Sequence, residues 1–179
     1  MSPPRLAGGP TQDEVLAVSL FKLGLRHTDT VLEIGSGTGK VTEALARQVY
    51  FVYSIDKRDE AVSITRDRMN TAKIMNVSVE CRNAEDFLVS DQVFDCAFMG
   101  GTKNITTILP LLVPKVRRTI VINAVLLSTL QATVQTLQEL NVFSEAVQVQ
   151  VTRSHDLAGS IMFKPVDPVF IITGRGSAC

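Results

Sequence analysis

The sequence lacks several features that mark common classes of protein. It has no tryptophan, two histidines, three cysteines and a formal net charge of +0. Because no Cys-x-x-Cys motif is present, we expect no metal site ligated by the protein. Because the formal net charge is zero, long-range attraction to nucleic acid is not expected either. No apolar run reaches the ~18 residues of a membrane helix, and no signal-peptide core follows Met1, so we expect a cytoplasmic protein without membrane contact.

The few cysteines and the chain length predict a simple organisation. Cys81, Cys96 and Cys179 are far apart, and two of them fall inside predicted strands. We therefore expect buried, reduced thiols and no disulfide. The 179 residues suit a single domain over residues 1–179. Residues 1–10 are rich in proline and glycine and are expected to form an N-terminal arm.

Apolar patterning predicts an α/β fold in which five strands alternate with helices. Thr11-Gln12-Asp13-Glu14 has the form of a capping box that starts the first helix. Strands are predicted at 31–34, 50–55, 77–81, 94–99 and 119–122, and later helices at 40–49, 59–74, 105–112 and 126–140. Residues 147–152 and 169–173 form two more strands, joined by a loop at 153–168 without a helix. The chain therefore predicts a mostly parallel sheet with a C-terminal antiparallel β-hairpin.

The segment Gly35-Ser36-Gly37-Thr38-Gly39 follows the first predicted strand, and Asp56 ends the second. Alternating glycines let the backbone approach a ligand, and a carboxylate at a strand end can accept hydrogen bonds from ribose hydroxyls. The spacing is tighter than the Gly-x-Gly-x-x-Gly motif that places a pyrophosphate, which favours S-adenosylmethionine. The alternatives are a turn without a ligand and, for Asp56, a helix N-cap. A plain turn needs one glycine, so ligand binding is favoured.

Two further strand ends carry candidate residues. Asn83-Ala84-Glu85 follows the third strand and would face an adenine ring, or Asn83 would cap the next helix. Gly100, Gly101 and Thr102 end the fourth strand, where the transferable methyl group would lie. The glycines would make room for a bulky flat substrate, or the turn would require positive φ. The absence of a Pro-Pro-aromatic motif argues against methylation of nitrogen in bases or glutamine.

Several basic residues fall near strand ends or in the predicted 153–168 loop, and they suit a substrate with several carboxylates if they line the cleft. They are Lys103, Lys115, Arg117, Arg118, Arg153, Lys164 and Arg175. The alternative is an ordinary solvated surface. His155, in the same loop, is either a catalytic candidate or an ordinary surface histidine. No cysteine follows a proline at a strand end, which excludes the cysteine-nucleophile route of RNA carbon methylation.

The chain resembles the CbiT family, the decarboxylating cobalt-precorrin-6B C15-methyltransferases of cobalamin biosynthesis, which are similar to the C-terminal half of CobL. The segments that carry the resemblance are Gly9-Pro10-Thr11, Glu33 to Gly39, Tyr53 to Asp56, Met99-Gly100-Gly101, Ala124 to Leu127 and Ala158 to Phe163 with Pro168. Asn123 stands where this family commonly has threonine. The resemblance implies a class I S-adenosylmethionine-dependent methyltransferase fold.

The resemblance also implies site residues and partners. Cofactor contacts are implied at Thr11, Gly35, Ser36, Gly37, Thr38, Gly39, Asp56 and Ala84, and a tetrapyrrole near Gly100, Gly101, Thr102 and Arg153. It implies carbon methylation at C-15 with loss of the C-12 acetate carboxyl, a tetramer, and CbiE as a functional partner. The alternating strand at 147–151 independently suggests an edge that pairs between subunits. Alternatives on the same fold are methylation of another small molecule, a protein carboxyl or RNA, or a non-catalytic subunit that binds the cofactor.

Overall fold

The computed structural model describes residue 9 and residues 11–178. The strands are, in chain order, β1 Thr30–Ile34, β2 Phe51–Asp56, β3 Val77–Cys81, β4 Phe94–Met99, β5 Val116–Ala124, β6 Phe143–Val149, β7 Thr152–Leu157, β8 Ser160–Pro165 and β9 Val169–Arg175. The predicted N-terminal arm lies outside the described residues except for Gly9, and Cys179 also lies outside them.

One helix precedes β1, and each of the strands β1–β5 is followed by a helix. They are α1 Asp13–Leu23, α2 Lys40–Ala46, α3 Asp59–Thr71, α4 Ala84–Phe87, α5 Ile105–Leu112 and α6 Leu127–Glu139. The predicted capping box is wrong, because the N-cap of α1 is Gln12 and its side chain makes no capping hydrogen bond. The Gln12 amide instead donates to the carbonyl of Asp167, at 3.4 Å, so the start of α1 is tied to the segment before β9.

Seven strands form one sheet in the order β3-β2-β1-β4-β5-β9-β6. The first five pair in parallel, and β9 runs antiparallel between β5 and β6. This confirms the α/β fold class with its C-terminal antiparallel pair. The strand order reverses between β1 and β4, and ligands of open α/β sheets bind beyond the carboxyl ends of the strands at such a reversal.

The predicted loop at 153–168 is wrong, since β7 and β8 form a separate antiparallel hairpin there. Ala158 and Gly159, both at positive φ, connect the two strands. A two-residue connection with positive φ at both positions is the usual β-hairpin turn. Both faces of the hairpin are exposed. No buried face imposes an alternation of apolar and polar residues, so the pattern used to find strands is missing.

The sheet is covered by helices on both faces. One hydrophobic cluster contains residues of α4, α5 and α6, and a second lies beneath α1 and α2. Cys96, in central strand β4, is buried as predicted. Cys81 is exposed, against the prediction, because it is the last residue of β3, which is an edge strand.

Candidate functional site

Two adjoining cavities lie beyond the carboxyl ends of the parallel strands. The larger has a volume of about 660 Å³ and the smaller about 370 Å³. Gly35, Arg58, Gly100 and Thr102 line both. These volumes lie within the range of small-molecule sites. Together the two cavities form a cleft at the reversal of strand order, where the sequence predicts the ligand.

The structure distributes most of the predicted site residues between these cavities. The larger is lined by Asp56, Ala84, Gly100, Gly101 and Thr102. The smaller is lined by Thr11, Gly35, Ser36, Gly37 and Thr38. Gly39, the N-cap of α2, is in neither lining and packs against α3, where a Cβ would lie 3.1 Å from the Cα of Thr65. Arg153 lies on the β7–β8 hairpin outside both linings and forms an ion pair with Glu14 of α1.

The glycine loop after β1 touches the loop after β4 through backbone atoms. Gly35 has φ +94°, and a Cβ at this position would lie 2.5 Å from the amide nitrogen of Gly101. Its own amide donates to the carbonyl of Ile55 at 2.7 Å. The amides of Gly100 and Gly101 both donate to the carbonyl of Ile34. Any side chain at position 35 would separate the two loops that line both cavities.

Gly100 and Gly101 do not have positive φ, so backbone conformation does not explain them. A Cβ on Gly101 would meet only ordinary contacts of 3.5 Å or more, and one on Gly100 would meet Phe98 at 3.4 Å. The expectation that this turn requires positive φ is therefore wrong. The missing side chains instead leave the cavity wall flat.

The carboxylate of Asp56 is buried at the end of β2 and accepts four hydrogen bonds from the described residues. The amide of Gly37 donates to Oδ2 at 3.1 Å, and the amide of Arg58 donates to Oδ1 at 3.1 Å. The Arg58 side chain donates from Nε to Oδ1 at 2.9 Å and from Nη2 to Oδ2 at 2.8 Å. Burial alone would raise the pKa of Asp56, but these hydrogen bonds outweigh it and the pKa is lowered. Asp56 is therefore a carboxylate at neutral pH.

Glu33 is a second buried acid, in strand β1 two residues before the glycine loop. Its Oε2 accepts hydrogen bonds from the hydroxyls of Thr42 and Ser54. Its Oε1 accepts none from the described residues. Complete burial raises its pKa from 4.5 to about 7, opposed by the two hydroxyls and supported by the negative charge of Asp56. Glu33 thus titrates near neutral pH and fixes α2 and β2 behind the site.

Three buried polar atoms in the wall of the smaller cavity have no hydrogen-bond partner among the described residues. They are Gln12 Oε1, Ser36 Oγ and Asn123 Nδ2. Asn123 is oriented by Ser19, whose hydroxyl lies 3.1 Å from Asn123 Oδ1. A buried polar group without a partner is costly, which indicates that a ligand supplies one. An amide donor, an amide acceptor and a hydroxyl together suit a zwitterionic amino-acid group.

Lys40, which sequence analysis did not single out, joins α1 to the glycine loop. Its Nζ donates to the carbonyl of Thr11 at 2.5 Å and forms an ion pair with Asp13 at 2.6 Å. Lys40 also lines the smaller cavity. The sequence places Lys40 beside the glycine loop, because it directly follows Gly39. Its contacts could not be predicted, because its partners Thr11 and Asp13 are 29 and 27 residues away.

The cations of the larger cavity differ from those expected. Lys103, one of the predicted basic residues, lines it. Lys57, Arg58 and Arg82 also line it, although sequence analysis did not single them out. They directly follow β2 and β3, and this position at strand ends is the signal that could have found them. Arg117 and Arg118 lie at the start of β5, at the opposite edge of the sheet. Arg118 forms a bidentate ion pair with buried Asp29 there, at 2.7 and 2.8 Å.

The described residues contain neither a candidate metal-binding cluster nor a candidate membrane-spanning helix. No group of three or more His, Cys, Asp or Glu side chains could hold a metal ion in the part of the chain that the structure describes. Within the same residues, no helix is long and apolar enough to cross a membrane.

Comparisons with known proteins give concordant matches. A family model described as a methyltransferase domain matches residues 31–120. A protein of Methanosarcina mazei is 42% identical over 175 residues, which is 95% of each chain. One from Halobacterium salinarum is 33% identical over 169 residues, covering 94% of this chain and 90% of its own. Both are named "Probable cobalt-precorrin-6B C(15)-methyltransferase (decarboxylating)".

Solved structures show the same architecture. The precorrin 8W decarboxylase of Methanobacterium thermoautotrophicum superposes with a TM-score of 0.88 at 28% identity, covering 93% of this chain and 91% of its own. The precorrin-6y C5,15-methyltransferase of Geobacter metallireducens gives a TM-score of 0.89 at 25% identity, with coverage of 96% and 94%. The similarity therefore extends over nearly the whole chain.

Proposed function

The chain belongs to the family of decarboxylating cobalt-precorrin-6B C(15)-methyltransferases, and from that membership and its cleft we propose that it methylates C-15 of cobalt-precorrin-6B. In the same reaction the C-12 acetate side chain loses its carboxyl group as carbon dioxide. One observation supports the proposal most strongly. The larger cavity contains Asp56, an acid placed to bind a ribose, and the adjoining cavity contains three unpartnered polar atoms that suit the ammonium and carboxylate of an amino acid. S-adenosylmethionine contains both chemical groups.

The residues of the cleft fit S-adenosylmethionine. Asp56 would accept hydrogen bonds from the ribose, and the backbone beside Ala84 would face the adenine. Gln12, Ser36 and Asn123 would take the ammonium and carboxylate of the amino-acid end. Gly35 lines both cavities, and its missing side chain lets the loops after β1 and β4 touch between the two groups.

When bound, the cofactor supplies an electrophilic methyl group, and the residues of the chain supply position and environment. C-15 of the substrate is part of an enamine and needs no strong base. Among the described residues that line the larger cavity there is no histidine, and Asp56 is already engaged in hydrogen bonds. Catalysis then depends on holding two reactants in contact and excluding water.

Recognition of the substrate would use charge and shape. Cobalt-precorrin-6B is a flat macrocycle with several carboxylate side chains. The flat wall at Gly100 and Gly101 suits the ring, and the cations Lys57, Arg82 and Lys103 suit the carboxylates. The carboxylate that leaves as carbon dioxide is destabilised by desolvation rather than held by a cation.

Turnover tests the proposal directly. The protein is incubated with methyl-labelled S-adenosylmethionine and cobalt-precorrin-6B, and product mass and released carbon dioxide are measured. We expect one methyl group gained and one carbon dioxide lost per macrocycle. Methylation without carbon dioxide release, or methylation of RNA or protein in place of the macrocycle, would overturn it.

We also propose that the protein is a homo-oligomer, with a tetramer expected from its family, and that it acts next to the CbiE methyltransferase. Strand β6 lies at the edge of the main sheet, where its backbone can pair with another chain. The β7–β8 hairpin presents Leu157, Ile161 and Phe163 to solvent, each more than half exposed. Apolar side chains clustered on one surface element are typical of subunit contacts.

A further inference from the structure

Arg58 occupies the hydrogen-bonding positions on Asp56 that a ribose would need. A carboxylate has about four acceptor positions, two on each oxygen. On Asp56 the amides of Gly37 and Arg58 take one position on each oxygen, and the guanidinium takes one more on each. All four positions are therefore in use, and two of them are held by a side chain.

The guanidinium and a ribose diol would contact the acid in the same way. Nε and Nη2 of Arg58 form a fork that donates one hydrogen bond to Oδ1 and one to Oδ2. The 2′- and 3′-hydroxyls of a ribose are also neighbouring donors, spaced to reach both oxygens of a carboxylate. The backbone amides cannot leave, because Gly37 and Arg58 are fixed by the loop and by β2. The guanidinium is the group that can be exchanged.

Arg58 lies at the boundary between buried Asp56 and the open cleft. Its side chain is 40% exposed, whereas that of Asp56 is 4% exposed. It also lines both cavities, at their junction. A long arginine side chain can keep its apolar stem in place while its charged end changes partner. A guanidinium released from Asp56 would face the larger cavity, where we propose that the substrate binds.

We propose that Arg58 competes with the ribose diol of the cofactor for Asp56, and that binding of the cofactor releases its guanidinium to hold a carboxylate of the substrate. This inference rests on the proposed function, since it takes the ribose and the acidic substrate from there. It makes Arg58 a residue that couples the two ligands. By linkage, each ligand then increases the affinity of the other.

Calorimetric titration tests the competition. S-adenosylhomocysteine and its 2′,3′-dideoxy analogue are titrated into the wild type, Arg58→Ala and Arg58→Lys. We expect Arg58→Ala to bind S-adenosylhomocysteine about 5-fold more tightly, the scale of a partly exposed bidentate pair. Arg58→Lys keeps the positive charge but lacks the two-pronged guanidinium, so its affinity is expected to lie between those of the wild type and Arg58→Ala. The dideoxy analogue has no diol, so its affinity should change less than about 2-fold across the series.

Lys164→Ala is the matched control, because it removes an exposed positive charge on β8 that lines neither cavity. Its affinity for S-adenosylhomocysteine is expected to equal that of the wild type. Unchanged or weaker binding by both Arg58 variants would overturn the competition while leaving the proposed function intact. Failure of the wild type itself to bind S-adenosylhomocysteine would overturn both.

Steady-state kinetics test the second half of the proposal. With S-adenosylmethionine saturating, Arg58→Ala is expected to raise KM for cobalt-precorrin-6B at least about 5-fold, with a smaller change in kcat. Arg58→Lys should recover part of the loss, because it can still pair with a carboxylate. An unchanged KM in Arg58→Ala would show that the released guanidinium holds no part of the substrate.

Discussion

Glu33 shows how burial changes the protonation of a single residue behind the cleft. It is completely buried, and its ordinary pKa of 4.5 is raised to about 7. Between these two values the folded protein binds more protons than the unfolded chain. The contribution of Glu33 to stability is therefore full below about pH 4.5 and is lost as the pH rises towards 7.

The change Glu33→Gln removes this pH dependence. The shift from 4.5 to about 7 corresponds to about 3 kcal/mol of stability lost by the wild type across that window. Urea unfolding at pH 5 and pH 8 should show a smaller decline in the variant. Glu43→Gln is the control, since Arg47 and Arg68 lower the pKa of Glu43, and it should retain the decline. Equal declines in the wild type and Glu33→Gln would contradict the account.

The absence of a side chain at Gly35 allows the loop after β1 to touch the loop after β4. In Gly35→Ala the new Cβ would meet the amide of Gly101, and φ is +94°. We expect the variant to lose at least about 2 kcal/mol of unfolding free energy and to bind S-adenosylhomocysteine weakly. Gly24→Ala is the matched control, because Gly24 also has positive φ but nothing lies within 4 Å of its Cβ position. It should lose about 1 kcal/mol from backbone strain alone and keep binding. Similar losses in both variants would contradict the close-approach argument.

Secondary-structure elements position the site through contacts at both edges of the sheet. At the carboxyl edge Lys40 holds α1 against the glycine loop, which closes the smaller cavity. At the amino edge the segment before β1 is joined to β5 by Asp29 and Arg118. Arg118 also donates to the carbonyl of Gly24 at the end of α1. The two contacts fix both ends of α1 relative to the sheet.

Removing the charge of Asp29 tests the contact at the amino edge. Asp29→Asn leaves Arg118 without its bidentate partner in a largely buried position, which costs about 3 kcal/mol of unfolding free energy. Chemical denaturation measures the loss. Asp91→Asn removes an exposed carboxylate 3.8 Å from Lys115 and should leave stability unchanged. A loss in Asp29→Asn no larger than in that control would contradict the role of the pair.

The elements also show what sequence can predict. Strands β3 and β4 and helix α5 have the predicted bounds. β4 is an almost continuously buried run that ends at Gly100, and β3 lies between Asn76 and the polar pair Arg82-Asn83. The β7–β8 hairpin was missed because no buried face imposes a pattern on it. The pairing of Arg58 with Asp56 is local in sequence, yet its bidentate geometry depends on the turn after β2. Ser19 and Asn123 are 104 residues apart, and only the packing of α1 on β5 brings them together.

For the molecule as a whole, the proposed assembly predicts behaviour that a single chain would not show. We expect sedimentation velocity to give a mass several times that of one chain. Replacing Ile161 and Phe163 together by lysine places charge on one face of the exposed hairpin, so it should reduce the mass. Met75→Lys is the control, since Met75 is 88% exposed but lies away from the hairpin and from β6. A monomeric wild type would contradict the proposed oligomer.

The account as a whole depends on a cofactor whose ribose is bound by Asp56 in the cleft. Calorimetric titration of S-adenosylhomocysteine into the wild type and Asp56→Ala measures this most directly. The account predicts one site per chain in the wild type and about 100-fold weaker binding in the variant, the loss of two hydrogen bonds to a charged group. Equal affinity in the two proteins would contradict it.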